Sequence, residues 1–408
     1  MTVPIARRKV LIASLGALVV WVTGGRSSAQ SLRPGFAEWV DRFRSRARAR
    51  GISEATYSRV MGSVKPDTAV YALQRSQPEF REPMWQYINR RVSDWRITTG
   101  KSRAAEHAAL IERIEKQYGV DRYLMLALWG MESAFGDLVV NPKHMRPVIP
   151  ALAALAWGEP RRRNYWEQEL LNALLIIERG WANEKEMIGS WAGAMGHTQW
   201  MPEVWLNMGV DGNGDGRISP FGPPDDAFAG TARYLVKRGQ YRRGEGWGYE
   251  VRLPATAKSG AMRTIAVWQT LGVKRANGRP FPRPGERARI WQPVVGGPTF
   301  LITQNFRAVR SYNPADSYAL ATVHLADRIR GEGPFVQQFP GGERILTLAE
   351  AQEMQRLLTA RGFDTNGTDG RIGPETVGAV RGFQLKLGIA PADGYAGLKV
   401  LARLREGI

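Results

Sequence analysis

From Phe36 to about Arg330, apolar residues recur at spacings of three and four, as in "FAEWVDRFRSRARARG", "MWQYINRRVSDWRI", "AAEHAALIERIEKQYG" and "YWEQELLNALLIIERG". That period gathers the apolar side chains on one face of a helix, so most of the chain must form helices that pack on one another. Three of these stretches end in glycine, a helix stop. Between Gly244 and Pro298 the texture changes to short mixed pieces such as "YEVRLP" and "RARIWQPV", with Gly and Pro between them. These predict a few strands or extended loops on the helical body. The helical pattern resumes in "YNPADSYALATVHLADRI", after an opening turn. The expected fold class is mostly α (α+β), with a small β-containing insert.

"RGEGPFVQQFPGGERIL" (Arg330 to Leu346) is rich in Gly and Pro and lacks helical periodicity, which marks a linker centred on residues 333–345. Residues 346–408 then offer a helix from Ala349 to Arg361, a Gly/Asp-rich turn, a helix from Pro374 to Leu387 and a short third helix. A unit of that size has a small core, enough for a binding module and too little for an elaborate active site. The larger unit, residues 30–332, is left to carry any chemistry.

The first 29 residues read as an export signal. Arg7, Arg8 and Lys9 form a cationic start, Val10 to Val22 an apolar core too short for a comfortable membrane span, and Ser27 and Ala29 the small residues before a cut at Gln30. The paired arginines admit the twin-arginine route as well as ordinary secretion. Removal takes away four positive charges and leaves +15 of the formal +19. So basic a chain favours an anionic partner, and export to a periplasm makes nucleic acid a poor candidate. The chain has no cysteine, hence no disulfide, no thiol nucleophile and no site for a lipid anchor.

Within "DRYLMLALWGMESAFGD", Asp121 is a good N-cap, Gly136 can end the helix, and Glu132 stands in an otherwise apolar run. On a helix Met125, Leu128, Trp129 and Phe135 share its face. Desolvation and the negative end of the helix dipole both disfavour a charge there, which suits a general acid. Taken alone, the stretch is equally a glutamate at the core edge reaching water or an arginine. In "SWAGAMGHTQWMPE" (Ser190 to Glu203), Gly193 and Gly196 suit close backbone approach, and Gln199, Trp200 and Met201 could line a sugar cleft. A packed loop before a helix would read the same. His197 lies inside this motif and could touch substrate; His107, His144 and His324 show no ligand pairing.

Together these two stretches resemble the lytic murein transglycosylases of the membrane-bound type B family. "QPEF" (Gln77 to Phe80), "VSDWRITTGK", "PRRRNYW", "GWGYEVRLP" and "YNPADSYA" follow in that family's order. The type B prototype is a lipoprotein, and this chain departs from it in having no anchoring cysteine. The resemblance implies a lysozyme-like catalytic domain that cleaves the β-1,4 bond between N-acetylmuramic acid and N-acetylglucosamine and leaves a 1,6-anhydro sugar. Glu132 would serve first as acid and then as base. One carboxylate fits that chemistry, whereas ordinary glycosidases need a spaced pair; Asp137 and Glu203 are the nearest second carboxylates in the motifs. A hydrolytic muramidase or a non-catalytic wall-binding protein are the alternatives. The resemblance also places Ser190, Gln199, Tyr234, Tyr312 and Asn313 around the intermediate. Arg161, Arg162 and Tyr165 would meet the saccharide or its peptide stem. Tyr87 is transferred on spacing.

"DGNGDGRISPFGPPDD" (Asp211 to Asp226) has Asp211, Asn213 and Asp215 at positions 1, 3 and 5 of a calcium loop, a glycine at 6, and Arg217 at 7 to offer its carbonyl. The bidentate Glu at 12 is missing, since Gly222 stands there. The resembled family closes a longer loop with a later aspartate, here Asp225 or Asp226. A structural Ca2+ is thus expected, a metal-free Asx-turn loop is the alternative, and catalysis calls for no cofactor. "DTNGTDGRIG" (Asp364 to Gly373) has acids at the wrong positions for calcium. With "FQLKLGI" and "DGYAG" it resembles the three-helix peptidoglycan-binding domain, which implies wall anchoring. Peptidoglycan glycan strands are then the expected partner, other cell-wall enzymes are candidates, and a monomer is expected.

Overall fold

The structure, a computed structural model, describes residues 35–75, 82–255, 257 and 260–407. The export signal and the "QPEF" segment lie outside the described residues. Within them the chain forms eighteen α-helices and seven short strands, so the mostly helical expectation holds.

The helices divide between two cores. One is built by the helices Met84–Arg91, Asp94–Glu106, Ala108–Tyr118, Arg122–Ser133, Asp225–Lys237, Gln304–Tyr312 and Asp316–Arg330, which bury Met125, Leu128, Trp129, Phe228, Phe306 and Leu320 together. The other gathers the helices Phe36–Ala49, Glu54–Met61, Val148–Gly158, Arg163–Glu178 and Pro202–Met208 around Leu152, Leu155, Leu170, Leu174, Trp200 and Trp205. Val148–Gly158, "VIPALAALAWG", is apolar on every side and is the buried centre of this second lobe. Caps start the helices where the sequence offers them: the side chains of Ser53, Ser93 and Asp121 each accept backbone N–H groups of their own first turn.

Strands β1 (Arg146–Pro147) and β2 (Ile188–Gly189) pair beside the second lobe. The insert is an antiparallel sheet of β3 (Gly248–Arg252), β4 (Arg263–Thr264), β5 (Lys274–Arg275), β6 (Arg287–Trp291) and β7 (Thr299–Ile302), in the spatial order β4-β6-β7-β3-β5. Its central strand β7 is buried throughout because both of its faces are covered. Phe300 and Ile302 join the first lobe's core, and Leu301 joins Val251, Trp268 and Ile290 on the other side.

The C-terminal helices Leu348–Ala360, Pro374–Lys386 and Leu398–Arg405 enclose a separate small core of Met354, Leu358, Val380, Phe383, Leu401 and Leu404. The first of them starts with a capping box, Thr347 with Glu350. The segment ahead of it carries no regular structure, yet it does not hang free. Phe335 and Phe339 pack on the first lobe's core, His324 stacks on Phe335 at 3.8 Å, and Glu250 accepts the N–H groups of Val336 and Gln337. Asn89 donates to the Glu343 carbonyl and to the Tyr395 hydroxyl, and Gln86 donates to Asp393. The small domain is thereby docked against the first lobe, and Arg371 pairs with Asp137 just beyond the glutamate helix.

Candidate active site

Glu132 sits in the last turn of Arg122–Ser133, half-buried, on a helix whose residues from Leu124 to Met131 are all buried. The chain turns away sharply after it. Ala134 and Phe135 both take left-handed φ angles, 53° and 61°, and Gly136 follows at 89°. Two side-chain-bearing residues in that region cost on the order of 1 to 3 kcal/mol each. The turn is held because Phe135 folds back on its own helix: a methyl group at Gly130 would stand 2.5 Å from its ring. Gly130 is therefore required by close packing, and through Phe135 it fixes the end of the helix that presents Glu132.

Tyr318, in the first turn of Asp316–Arg330, donates its hydroxyl to the Glu132 carboxylate. Burial, and then the neighbouring Glu132 charge, push the Tyr318 phenol well up, so it stays a proton donor. Tyr312 is raised by the same two causes. Its hydroxyl donates to the Thr198 carbonyl at 2.5 Å, which ties the first lobe to the glycine-rich loop of the second. Tyr234 meets the Tyr312 ring edge-on at 5.2 Å and donates to the Ser311 carbonyl. Asn313 follows Tyr312, with its side-chain oxygen accepting the Ala315 N–H.

The glycine-rich loop folds on itself. Met195 pairs with both Gly189 and Trp200, Ser190 accepts the Ala192 and Ala194 N–H groups, and Gln199, at φ 51°, donates to the Gly196 carbonyl. At Gly196, φ is 75° and an added Cβ would lie 2.2 Å from the Pro220 carbonyl, so the loop can close only with glycine there. Trp200 donates to the Thr231 hydroxyl, which in turn donates to Thr198, anchoring the loop on Asp225–Lys237. Among Ser190, Gln199, Tyr234, Tyr312 and Asn313, Tyr312 stands close enough to Glu132 to feel its charge, Tyr234 packs on Tyr312, and Gln199 follows the Thr198 that Tyr312 holds. Arg161 and Arg162 are exposed on the neighbouring turn; the Arg162 guanidinium lies 4.4 Å from the Tyr165 ring centre, and Trp166 leans on Trp191 beside Ser190. Tyr87 is buried and close enough to Tyr318 to act on it electrostatically.

One reading changes. His197 does not face a cleft: its Nδ1 accepts from Trp129 at 3.0 Å, its Nε2 donates to the Gly222 carbonyl at 2.7 Å, and burial lowers its pKa, so it is a neutral core strut. Asp137 and Glu203, the candidate second carboxylates, are each engaged by an arginine. Burial pushes Asp137 up, but hydrogen bonds from Arg371 and Asn141 outweigh it and hold the group below the usual range. Arg238 does the same to Glu203. Tyr318 is the residue that the sequence reading passed over. It lies six positions after Tyr312 in "YNPADSYA", but only the antiparallel packing of two helices brings it to Glu132.

In the Asp211–Asp226 loop, Asp211 accepts the N–H groups of Gly214, Asp215 and Gly216, Asn213 donates to Asp215, and Asp215 accepts from Arg217. The two closing aspartates separate: Asp225 pairs with Arg113, whereas Asp226 turns inward and accepts from Gly212 and Ser219. Burial raises the Asp226 pKa, and the facing charges of Asp211 and Asp215 add to it, a repulsion that a cation would relieve. Among the described residues no three acids or histidines already stand at metal-holding distance. The side-chain donors of the loop are oxygens, the kind a hard cation takes.

With this geometry in place, the comparisons decide the family. Residues 35–327 match the model of the transglycosylase SLT domain, and residues 347–404 match that of a peptidoglycan binding domain. The chain belongs to the lytic transglycosylases of the SLT-domain family. This transglycosylase is similar to SltB3 from Pseudomonas aeruginosa, solved in complex with NAG-anhNAM-pentapeptide: 40% identity over 91% of this chain and all of that one, with a TM-score of 0.70. Membrane-bound lytic murein transglycosylase B of Escherichia coli (strain K12) is 24% identical over 66% of this chain and 73% of its own length. The fold is also shared with Escherichia coli Slt35, solved in complex with calcium, at 22% identity, 73% and 93% coverage and a TM-score of 0.60.

Proposed function

We propose that this chain cleaves the β-1,4 bond between N-acetylmuramic acid and N-acetylglucosamine in peptidoglycan, and that Glu132 does so alone. Glu132 protonates the glycosidic oxygen; the resulting carboxylate then takes the proton of the muramoyl 6-hydroxyl, which closes the 1,6-anhydro ring as the glycosidic bond is lost. The observation that carries this reading is the surroundings of Glu132. Its carboxylate accepts a hydrogen bond from a buried tyrosine, while Asp137 and Glu203, the candidates for a second catalytic carboxylate, are paired with arginines. Tyr318 supplies a fixed donor for the carboxylate that appears when the proton leaves.

Ser190, Gln199, Tyr234, Tyr312 and Asn313 hold the acetamido groups and the reacting sugar, and Arg161, Arg162 and Tyr165 meet the saccharide or the carboxylates of its stem. The C-terminal module keeps the enzyme on the wall of an exported, periplasmic compartment. The Asp211–Asp226 loop holds a structural calcium ion through Asp211, Asn213, Asp215, the Arg217 carbonyl and Asp226, and the ion takes no part in the chemistry. Digestion of purified sacculi tests the assignment. The wild type releases soluble muropeptides and Glu132→Gln, with an unchanged melting temperature, does not; a Glu132→Gln variant that still releases them removes Glu132 from the mechanism.

A further inference from the structure

On the helix Asp225–Lys237 and its cap, Thr231, Tyr234 and Arg238 stand three and seven positions apart, on one face. All three contact the glycine-rich loop, the helix that follows it or the tyrosine that holds it. Thr231 bonds the glycine-rich loop through Thr198 and Trp200, and Tyr234 meets Tyr312. Arg238 makes a two-armed contact with Glu203, the residue four beyond Gln199. Glu203 is itself anchored from behind, because its N–H is accepted at 3.0 Å by Glu169, which is 4% exposed. The Arg238 guanidinium lies 5.4 Å from the Tyr234 ring centre. Tyr234 and Arg238 occupy the last turn and the cap, where helices fray.

We infer that Arg238, held by Glu203, is a positioning residue for Tyr234, and so fixes the Tyr234 ring against Tyr312. The inference rests on the proposed peptidoglycan cleavage. An exposed ion pair contributes little to global stability; the side chains here are 36% and 28% exposed. The contribution of this pair is geometric. A planar guanidinium gripped at two points cannot swing, and the tyrosine ring packed under it is confined with it. Without Arg238 the helix end loosens and Tyr234 samples positions off the substrate.

The test uses the full mature chain and kcat and KM on soluble glycan strands. Arg238→Ala is expected to lower kcat/KM roughly tenfold with its melting temperature unchanged, an effect of the size that small misplacements of a binding group produce. In a Tyr234→Ala background the same change should cost nothing more, since the residue it positions is gone. Arg238→Lys, which keeps the charge but not the planar two-point grip over the ring, should recover only a small part of the loss. If Arg238→Ala is as active as wild type, or costs the same factor with and without Tyr234, Arg238 does not act through Tyr234 and the inference fails. Failure of the parent reading looks different: wild type and Glu132→Gln would then be indistinguishable on the same strands.

Discussion

Replacing Tyr318 by Phe removes one oxygen and leaves the ring to fill the same buried space. That oxygen donates to the Glu132 carboxylate. A hydrogen bond to a charged acceptor contributes about 1.5 to 3 kcal/mol, and each 1.36 kcal/mol corresponds to roughly one pH unit or a factor of ten in rate. Two effects follow from the same lost bond. Protonation of the glycosidic oxygen leaves a carboxylate that Tyr318 no longer stabilises, so kcat should fall by about ten- to a hundredfold. The donor favours the ionised carboxyl; without it the acid form persists to higher pH. The alkaline limb of the pH–rate profile, where that acid form is exhausted, should then move to higher pH. Initial rates of muropeptide release, measured across pH for wild type and Tyr318→Phe, read both quantities at once. A variant with unchanged kcat and an unmoved alkaline limb would refute the role of this contact.

Burial pushes the Asp327 carboxyl up to about 6, against the pull of Arg330 and the Trp247 indole. The folded state therefore binds a proton that the unfolded chain releases, and stability is lost as pH rises through about 6. Asp327→Asn keeps an acceptor for Trp247; its unfolding free energy, from chemical denaturation, should match wild type near pH 4 and exceed it by up to about 2 to 3 kcal/mol near pH 8, and a deficit that grows with pH would contradict this. Gly130→Ala drives a methyl group into the Phe135 ring and should cost about 1 to 3 kcal/mol of stability, read by chemical denaturation, with activity lost as the turn after Glu132 shifts. Calcium should raise the melting temperature of the wild type and a chelator reverse it, as binding to the folded state alone requires. Asp226→Asn should abolish that response and Asp225→Asn leave it; the opposite pattern would place the closing ligand wrongly.

What could be read along the chain was whatever a local pattern encodes. The spacing of Met125, Leu128, Trp129 and Glu132 is a property of one helix, and the cap at Asp121 is three residues deep. "YEVRLP" and "RARIWQPV" stand out as short strands, and the alternation in β3 and β6 follows from one covered face. Contacts between distant segments carried no such signature. Tyr318 reaches Glu132 across 186 positions, and Arg238 reaches Glu203 across 35. The place of His197 had no local signature, because its ring turns inward to partners at Trp129 and Gly222 that no spacing rule predicts. Asp225 and Asp226 are adjacent and chemically identical; Arg113, brought in from another helix, and the Gly212 and Ser219 N–H groups tell them apart. The Gly/Pro-rich segment before the last domain reads as a linker, and its Phe335 and Phe339 are what strap it down.

The account stands on a single carboxylate that closes an anhydro ring in place of admitting water. Digesting sacculi in water enriched in heavy oxygen, and weighing the muropeptides by mass spectrometry, tests that directly. The account predicts products one water lighter than hydrolysis would give, free of the heavy label, and absent with Glu132→Gln. Reducing-end muropeptides carrying one labelled oxygen would show that water is the nucleophile, and would contradict it.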